Sequence, residues 1–175
     1  LEVIIMAYVT PSTVSSGDAV TAAAHNIIVN DIINHESRLA PLAPPRGVMA
    51  YVTSTATTSV TTTETVYLTS PSFTAVAGRL YKLSSYDAGI GPSGAIGSVL
   101  ITTRIRLTNA SGTVYGYSNV TASGGGNNTS VSNSVITTLA AGSTVIVHTA
   151  AVSTGSANRG GGLTSWLLVE DIGPA

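Results

Sequence analysis

The sequence predicts a mainly β protein, an antiparallel jelly-roll-like β-sandwich preceded by an extended arm and one short α-helix. Three observations lead there. From Val48 onward, runs rich in Val, Ile, Thr, Tyr and Leu recur between clusters of Gly, Ser, Asn and Pro, the pattern of short strands joined by turns. No alternation of strand and helix appears, which argues against an α/β sheet. Ahead of the strands, a helically spaced apolar segment stops at a group of prolines.

Taken in order, residues 7–20 read as an extended arm, broken by Pro11, Ser12 and Ser15-Ser16-Gly17. Asp18 or Thr21 can cap a helix beginning near Ala22. His25, Ile28, Ile32, His35 and Leu39 then follow 3-4-3-4 spacing and form one seam, the candidate oligomerisation or attachment surface. The seam covers only about two heptads, and Ile27, Val29 and Ile33 lie off it. A helix of this length is marginal alone in water, so it is expected to pack on copies of itself or on a host surface. Pro41, Pro44 and Pro45 end it and stiffen a linker over 41–47. The expected domains are therefore 1–40 and 48–175.

Candidate strands are 48–53, 64–70, 79–86, 98–108, 113–119, 131–138, 143–152 and 164–172. In 99–107, Val99, Ile101, Thr103, Ile105 and Leu107 share one face while Arg104 and Arg106 point the other way. In 143–152, Val145 and Val147 oppose Ile146 and His148. Eight strands at this spacing fit a jelly roll. The Thr-rich stretch 53–65 reads as an edge strand or a loop, and 87–94, 124–128 and 158–162 read as long small-residue loops.

Composition narrows the function. Of the 175 residues 43% are hydrophobic and 9% charged, against roughly 25% charged in average soluble domains. A chain this poor in charge has little electrostatic protection against association, which points to an oligomer or a larger assembly. The formal net charge of −1 offers no field to draw in nucleic acid or an anionic membrane. Cysteine is absent, so disulfides and thiolate zinc sites are excluded. Apolar runs are a few residues long, far below the ~20 of a membrane span. The opening Leu1-Glu2-Val3-Ile4-Ile5-Met6 lacks the basic region of a secretory signal; Met6 looks like an ordinary start, with residues 1–5 a non-standard initiation or an expression remnant.

No residue pattern points to catalysis. Gly124-Gly125-Gly126 and Gly160-Gly161-Gly162 lack a following Lys-Ser/Thr and read as turns. His25 and His35 stand nearly three turns apart, so one chain cannot clamp a metal between them, although each could form a ring of imidazoles on a trimer axis. His148 lies in an apolar strand and reads as a packed or interface histidine; no Gly-x-Ser-x-Gly elbow accompanies it. Glu170 and Asp171 could bind a cation or do acid–base work, but adjacent strand residues face opposite sides, so a paired-carboxylate glycosidase arrangement is unsupported. The expectation is a non-enzyme with no cofactor and no metal. The Asn-x-Ser/Thr sequons at Asn109, Asn119, Asn127 and Asn128 are attributed to composition. Trp166 and the tyrosines Tyr86, Tyr115 and Tyr117 offer stacking faces for a sugar, although Trp166 fits a core or interface position better.

Three segments resemble a known group. Met6-Ala7-Tyr8-Val9-Thr10-Pro11 with Gly17-Asp18-Ala19-Val20-Thr21-Ala22-Ala23, the stretch from Glu64 to Tyr81, and Leu167-Leu168-Val169-Glu170-Asp171-Ile172-Gly173-Pro174 are similar to the N-terminal, middle and C-terminal parts of small virion proteins of tailed actinobacterial phages. The resemblance implies a trimeric, tumour-necrosis-factor-like or lectin-like jelly roll, with the arm and helix as the attachment and trimerisation piece. With one helix and one head but no long shaft, the chain suits a capsid decoration or head-fibre protein on the capsid exterior. Its partners would be itself, as a homotrimer, and the major capsid protein. The alternative is a minor tail or tail-tip protein whose β domain binds a host-surface glycan.

Overall fold

The computed structural model describes residues 26, 29–32, 46–93, 97–123, 129–159 and 161–175. Two compact units divide the chain, Leu1–Arg38 and Leu39–Ala175. In the first, Asn26 and residues 29–32 are helical, and Ile32 is 53% exposed. His25, Ile28, His35 and Leu39 of the seam, the arm at 7–20 and the prolines of the linker lie outside the described residues.

The second unit is built from twelve strands: β1 Gly47–Ser54, β2 Thr58–Val60, β3 Thr65–Thr69, β4 Phe73–Ala75, β5 Arg79–Pro92, β6 Ser98–Leu107, β7 Val114–Ser123, β8 Thr129–Thr138, β9 Gly142–Thr144, β10 Ile146–Val152, β11 Ala157–Arg159 and β12 Ser165–Pro174. All their pairings are antiparallel, and they nest. β1 pairs β12, β2 pairs β11, β3 pairs β10, β4 pairs β9, β5 pairs β8 and β6 pairs β7. The unit is thus one long hairpin with its tip between β6 and β7. Further pairings of β12 and β11 with β5, and of β10 with β6, roll that hairpin up. Two facing sheets result, β1-β12-β5-β8 and β3-β10-β6-β7, with β11 and β2 continuing the first from the far end of β5. This order is that of a jelly roll, and the expected mainly β sandwich is the fold.

Seven of the eight candidate strands are present as single strands, while 143–152 is divided at Val145 into β9, which pairs β4, and β10, which lies between β3 and β6. On β6 the alternation holds: Val99, Ile101, Thr103 and Ile105 are buried and Leu107 half-buried, while Arg104 and Arg106 lie on the outer side. The Thr-rich stretch contributes the short strand β2, whose Val60 is fully buried. Two predicted loops are corrected. Residues 87–92 continue β5 instead of leaving it, through a bulge between Asp87 and Ile90 at which Gly89 adopts φ 67°. That left-handed conformation is open to glycine without strain. Residues 158 and 159 belong to β11, which pairs with this extension.

The interior has two apolar clusters. One is built around Leu68, Tyr81, Leu83, Ile105, Ile146, Leu167 and Val169; the other around Val60, Ile90, Val99, Ile101, Val152 and Ala157. Tyr67 packs against both.

Candidate functional site

The polar interior decides what the histidine can do. Asp87, on the inward side of β5 just before its bulge, is fully buried. The Arg159 guanidinium donates from Nε to Asp87 Oδ1, and Arg159 is itself 1% exposed. His148, on the inward side of β10, places Nε2 3.2 Å from Asp87 Oδ2. The phenyl ring of Tyr67 closes the group, 5.0 Å from the guanidinium carbon, a cation–π contact in a desolvated setting. Burial holds the His148 pKa below the usual histidine value, the Asp87 charge opposing that shift and Arg159 adding to it. Burial also pushes the Tyr67 phenol up to about 12. A histidine beside a carboxylate is the geometry of an oriented base. Here both groups are cut off from solvent, so the arrangement holds charge inside the fold and presents no nitrogen to a substrate.

Two further networks use the remaining interior and edge charges. Asp171 accepts from Arg79 Nε at 2.7 Å, from Arg79 Nη2 at 2.8 Å and from Arg46 Nε at 2.5 Å, and Arg46 Nη2 donates onward to the Tyr81 hydroxyl at 2.8 Å. Burial alone would raise the Asp171 pKa, but the hydrogen bonds from Arg79, Arg46 and the Gly173 amide bring it down to about 2. On the outer side of the second sheet, Glu64 accepts from Arg106 Nε at 2.6 Å, Arg104 Nη1 at 2.9 Å and the Thr149 hydroxyl at 2.5 Å. Its burial acts to raise the pKa, and these donors together hold it below the ordinary value. The last pair, Lys82–Glu170 at 3.4 Å, is the most exposed. With it, every Arg, Lys, Asp and Glu from Arg46 to the C terminus is in an ion pair within the chain.

The two outer sheet faces differ. On the β3-β10-β6-β7 side, Arg104 and Arg106 with Glu64 neighbour Thr102, Asn119 and Thr121. On the β1-β12-β5-β8 side, three cross-strand rows stand outward: Thr53-Trp166-Tyr86-Ser132, Tyr51-Leu168-Ser84-Ser134 and Val48-Glu170-Lys82-Ile136. Trp166 and Tyr86 stack with centroids 6.1 Å apart. Val48, Tyr51 and Ile136 are each more than half exposed. This face carries aromatic and aliphatic surface, hydroxyls and one ion pair.

The sequence-predicted ligand residues do not converge. Trp166 is not in the core: it alternates with buried Ser165 and Leu167 and stands half-buried on the first sheet's outer face. Tyr117 pairs with Arg104 on the opposite outer face and is 65% exposed. Tyr115 occupies the bulge between them in register, which turns it onto the first apolar cluster and into a small cavity of about 190 Å³ shared with Leu107, Thr108, Leu139 and Ser143. Glu170 and Asp171 do face opposite sides, one toward Lys82 and one toward Arg79. Nothing in the residue pattern pairs Asp87 and Arg159 with His148 beyond a charge standing in each of two glycine-rich segments. Among the described residues no three His, Asp or Glu side chains gather as a metal site.

No protein-family model matches the chain, and no curated protein matches it. The class defined by the fold is that of antiparallel jelly rolls, and the candidate site is a neutral, aromatic sheet face over an internally neutralised core.

Proposed function

We propose that this chain is a structural component of a phage particle, a homotrimer that docks on the capsid exterior and reinforces the shell. The observation that carries the reading is the complete internal pairing of charge in residues 46–175, beside an outer sheet face with exposed Tyr51, Val48 and Ile136 and half-buried Trp166. A surface without free charge offers neither the phosphate contacts of a nucleic-acid binder nor repulsion between copies. Exposed apolar patches on such a surface mark contacts with protein. The reading is non-enzymatic, consistent with His148 and Asp87 being closed to solvent. The virion and the capsid location rest on the three segments that resemble phage virion proteins. Multivalent docking at points where capsid subunits meet would multiply weak contacts into a stable clamp.

Purified particles imaged with an antibody against residues 46–175 test this directly. Label over the capsid surface, together with earlier heat release of the genome from particles lacking the protein, is the expected result. Label confined to the tail would replace the reading with that of a tail protein binding a host-surface glycan. Absence from particles would end it.

A further inference from the structure

We infer that the outer face of the β1-β12-β5-β8 sheet is where a second copy of this chain seats, with Trp166, Tyr86 and Tyr51 as its aromatic anchors. The inference rests on the self-assembly proposed above and adds to it a face-to-face contact between two copies, which is two-fold and so joins one trimer to the next rather than closing the trimer itself. Its first support is the difference between the faces. The opposite sheet sets its exposed Tyr117, Leu100 and Val114 around the three charges of the Glu64–Arg104–Arg106 network, whereas this one has a single Lys82–Glu170 pair beside Val48 60%, Tyr51 53% and Ile136 57% exposed. Aromatic enrichment with few charges is the composition of an interface core. Trp and Tyr are also the residues that most often dominate binding energy.

The second support is size. Four strands ~4.8 Å apart and about seven residues long cover roughly 450 Å² in flat projection. Protruding side chains raise the accessible area of such a face toward the ~800 Å² per partner of a standard stable interface. The third support is charge. Lys82 and Glu170 sit side by side across β5 and β12, 3.4 Å apart and partly exposed, and are the only charges on the face among the described residues. A partner of either net sign gains nothing from that arrangement. A second copy brings the same neutral face and can exchange the pair, Lys82 of one chain meeting Glu170 of the other.

Trp166 is the single tryptophan of the chain, so its emission reports this face alone. The experiment is sedimentation of the full chain and a Trp166 emission series on dilution. The variants are Tyr51→Glu and Ile136→Lys, with Tyr117→Glu on the opposite sheet as control. All three side chains are more than half exposed, so the fold tolerates the changes. The expected result is an oligomeric wild type whose Trp166 emission moves to the red on dissociation. Each face variant associates about 30-fold more weakly, or keeps its mass with a red-shifted Trp166, while the control matches the wild type. An oligomeric wild type with face variants unchanged in both mass and emission overturns the inference and leaves the virion reading standing. A wild type that is monomeric overturns the inference and the self-assembly together, and a Trp166 shift on adding soluble hexose oligosaccharides would then assign the face to a glycan.

Discussion

Replacing Asp87 by Asn tests the buried charge network most sharply. The substitution keeps the shape of the side chain and removes the charge that neutralises Arg159, a guanidinium left 1% exposed against the Tyr67 ring. Breaking a buried ion pair by removing one partner typically costs about 3–5 kcal/mol, because the orphaned ion keeps its desolvation penalty. A domain of this size has about 5–15 kcal/mol of stability in all, so Asp87→Asn should remain folded but lower Tm by about 10–20 °C. Arg159→Met alone should do the same, leaving the Asp87 carboxylate buried beside His148. The double variant Asp87→Asn/Arg159→Met removes both charges and leaves neither ion buried without its partner, so its loss should fall well below the sum of the two. Urea denaturation followed by Trp166 emission, at fixed protein concentration near pH 7.5, measures all four species of this cycle. Single variants that lose less than about 1 kcal/mol, or a double variant whose loss is the sum of the two, would refute the argument that these charges act as one closed unit.

Two other predictions follow from the same geometry. The His148 pKa is lowered by burial, so the unfolded chain binds the extra proton first; stability from the neutral ring is full above the ordinary value of 6.5 and declines as pH falls below it. Asp171 contributes in a lower window, its stabilisation present above 3.8 and lost as pH falls toward about 2. A denaturation series from pH 8 to 3 should therefore show loss beginning near the histidine value, and His148→Gln should flatten that first segment; an unchanged profile would count against it. At the tip of the rolled hairpin, a Cβ on Gly112 would stand 1.7 Å from the Leu107 carbonyl oxygen. Gly112→Ala should open the turn that joins β6 to β7 and destabilise by about 2 kcal/mol or more, read as a lower urea midpoint with an unaltered m-value.

Much of the fold was legible in the residues because burial on a strand is a local, period-two property. Val99, Ile101, Thr103 and Ile105 alternate with Arg104 and Arg106 whatever the strand pairs with, and the structure keeps each on the expected side. Glu170 and Asp171 separate for the same reason. The extension of β5 was not legible, since Asp87-Ala88-Gly89-Ile90-Gly91-Pro92 carries every mark of a loop. It becomes a strand only because β8 and β11 lie alongside to satisfy its backbone and Arg159 arrives to neutralise Asp87.

Composition and periodicity alone determined a charge-poor, β-rich chain with alternating strands and no motif for catalysis. Which sheet face would be left aromatic, and that every charge from Arg46 onward would find a partner, depended on the nesting of first strand with last. Asp87 and Arg159 are brought together by the rolling of that hairpin, from segments far apart in the chain. Such long-range pairings are set by register and closure of the whole sandwich, and no local window of residues encodes them.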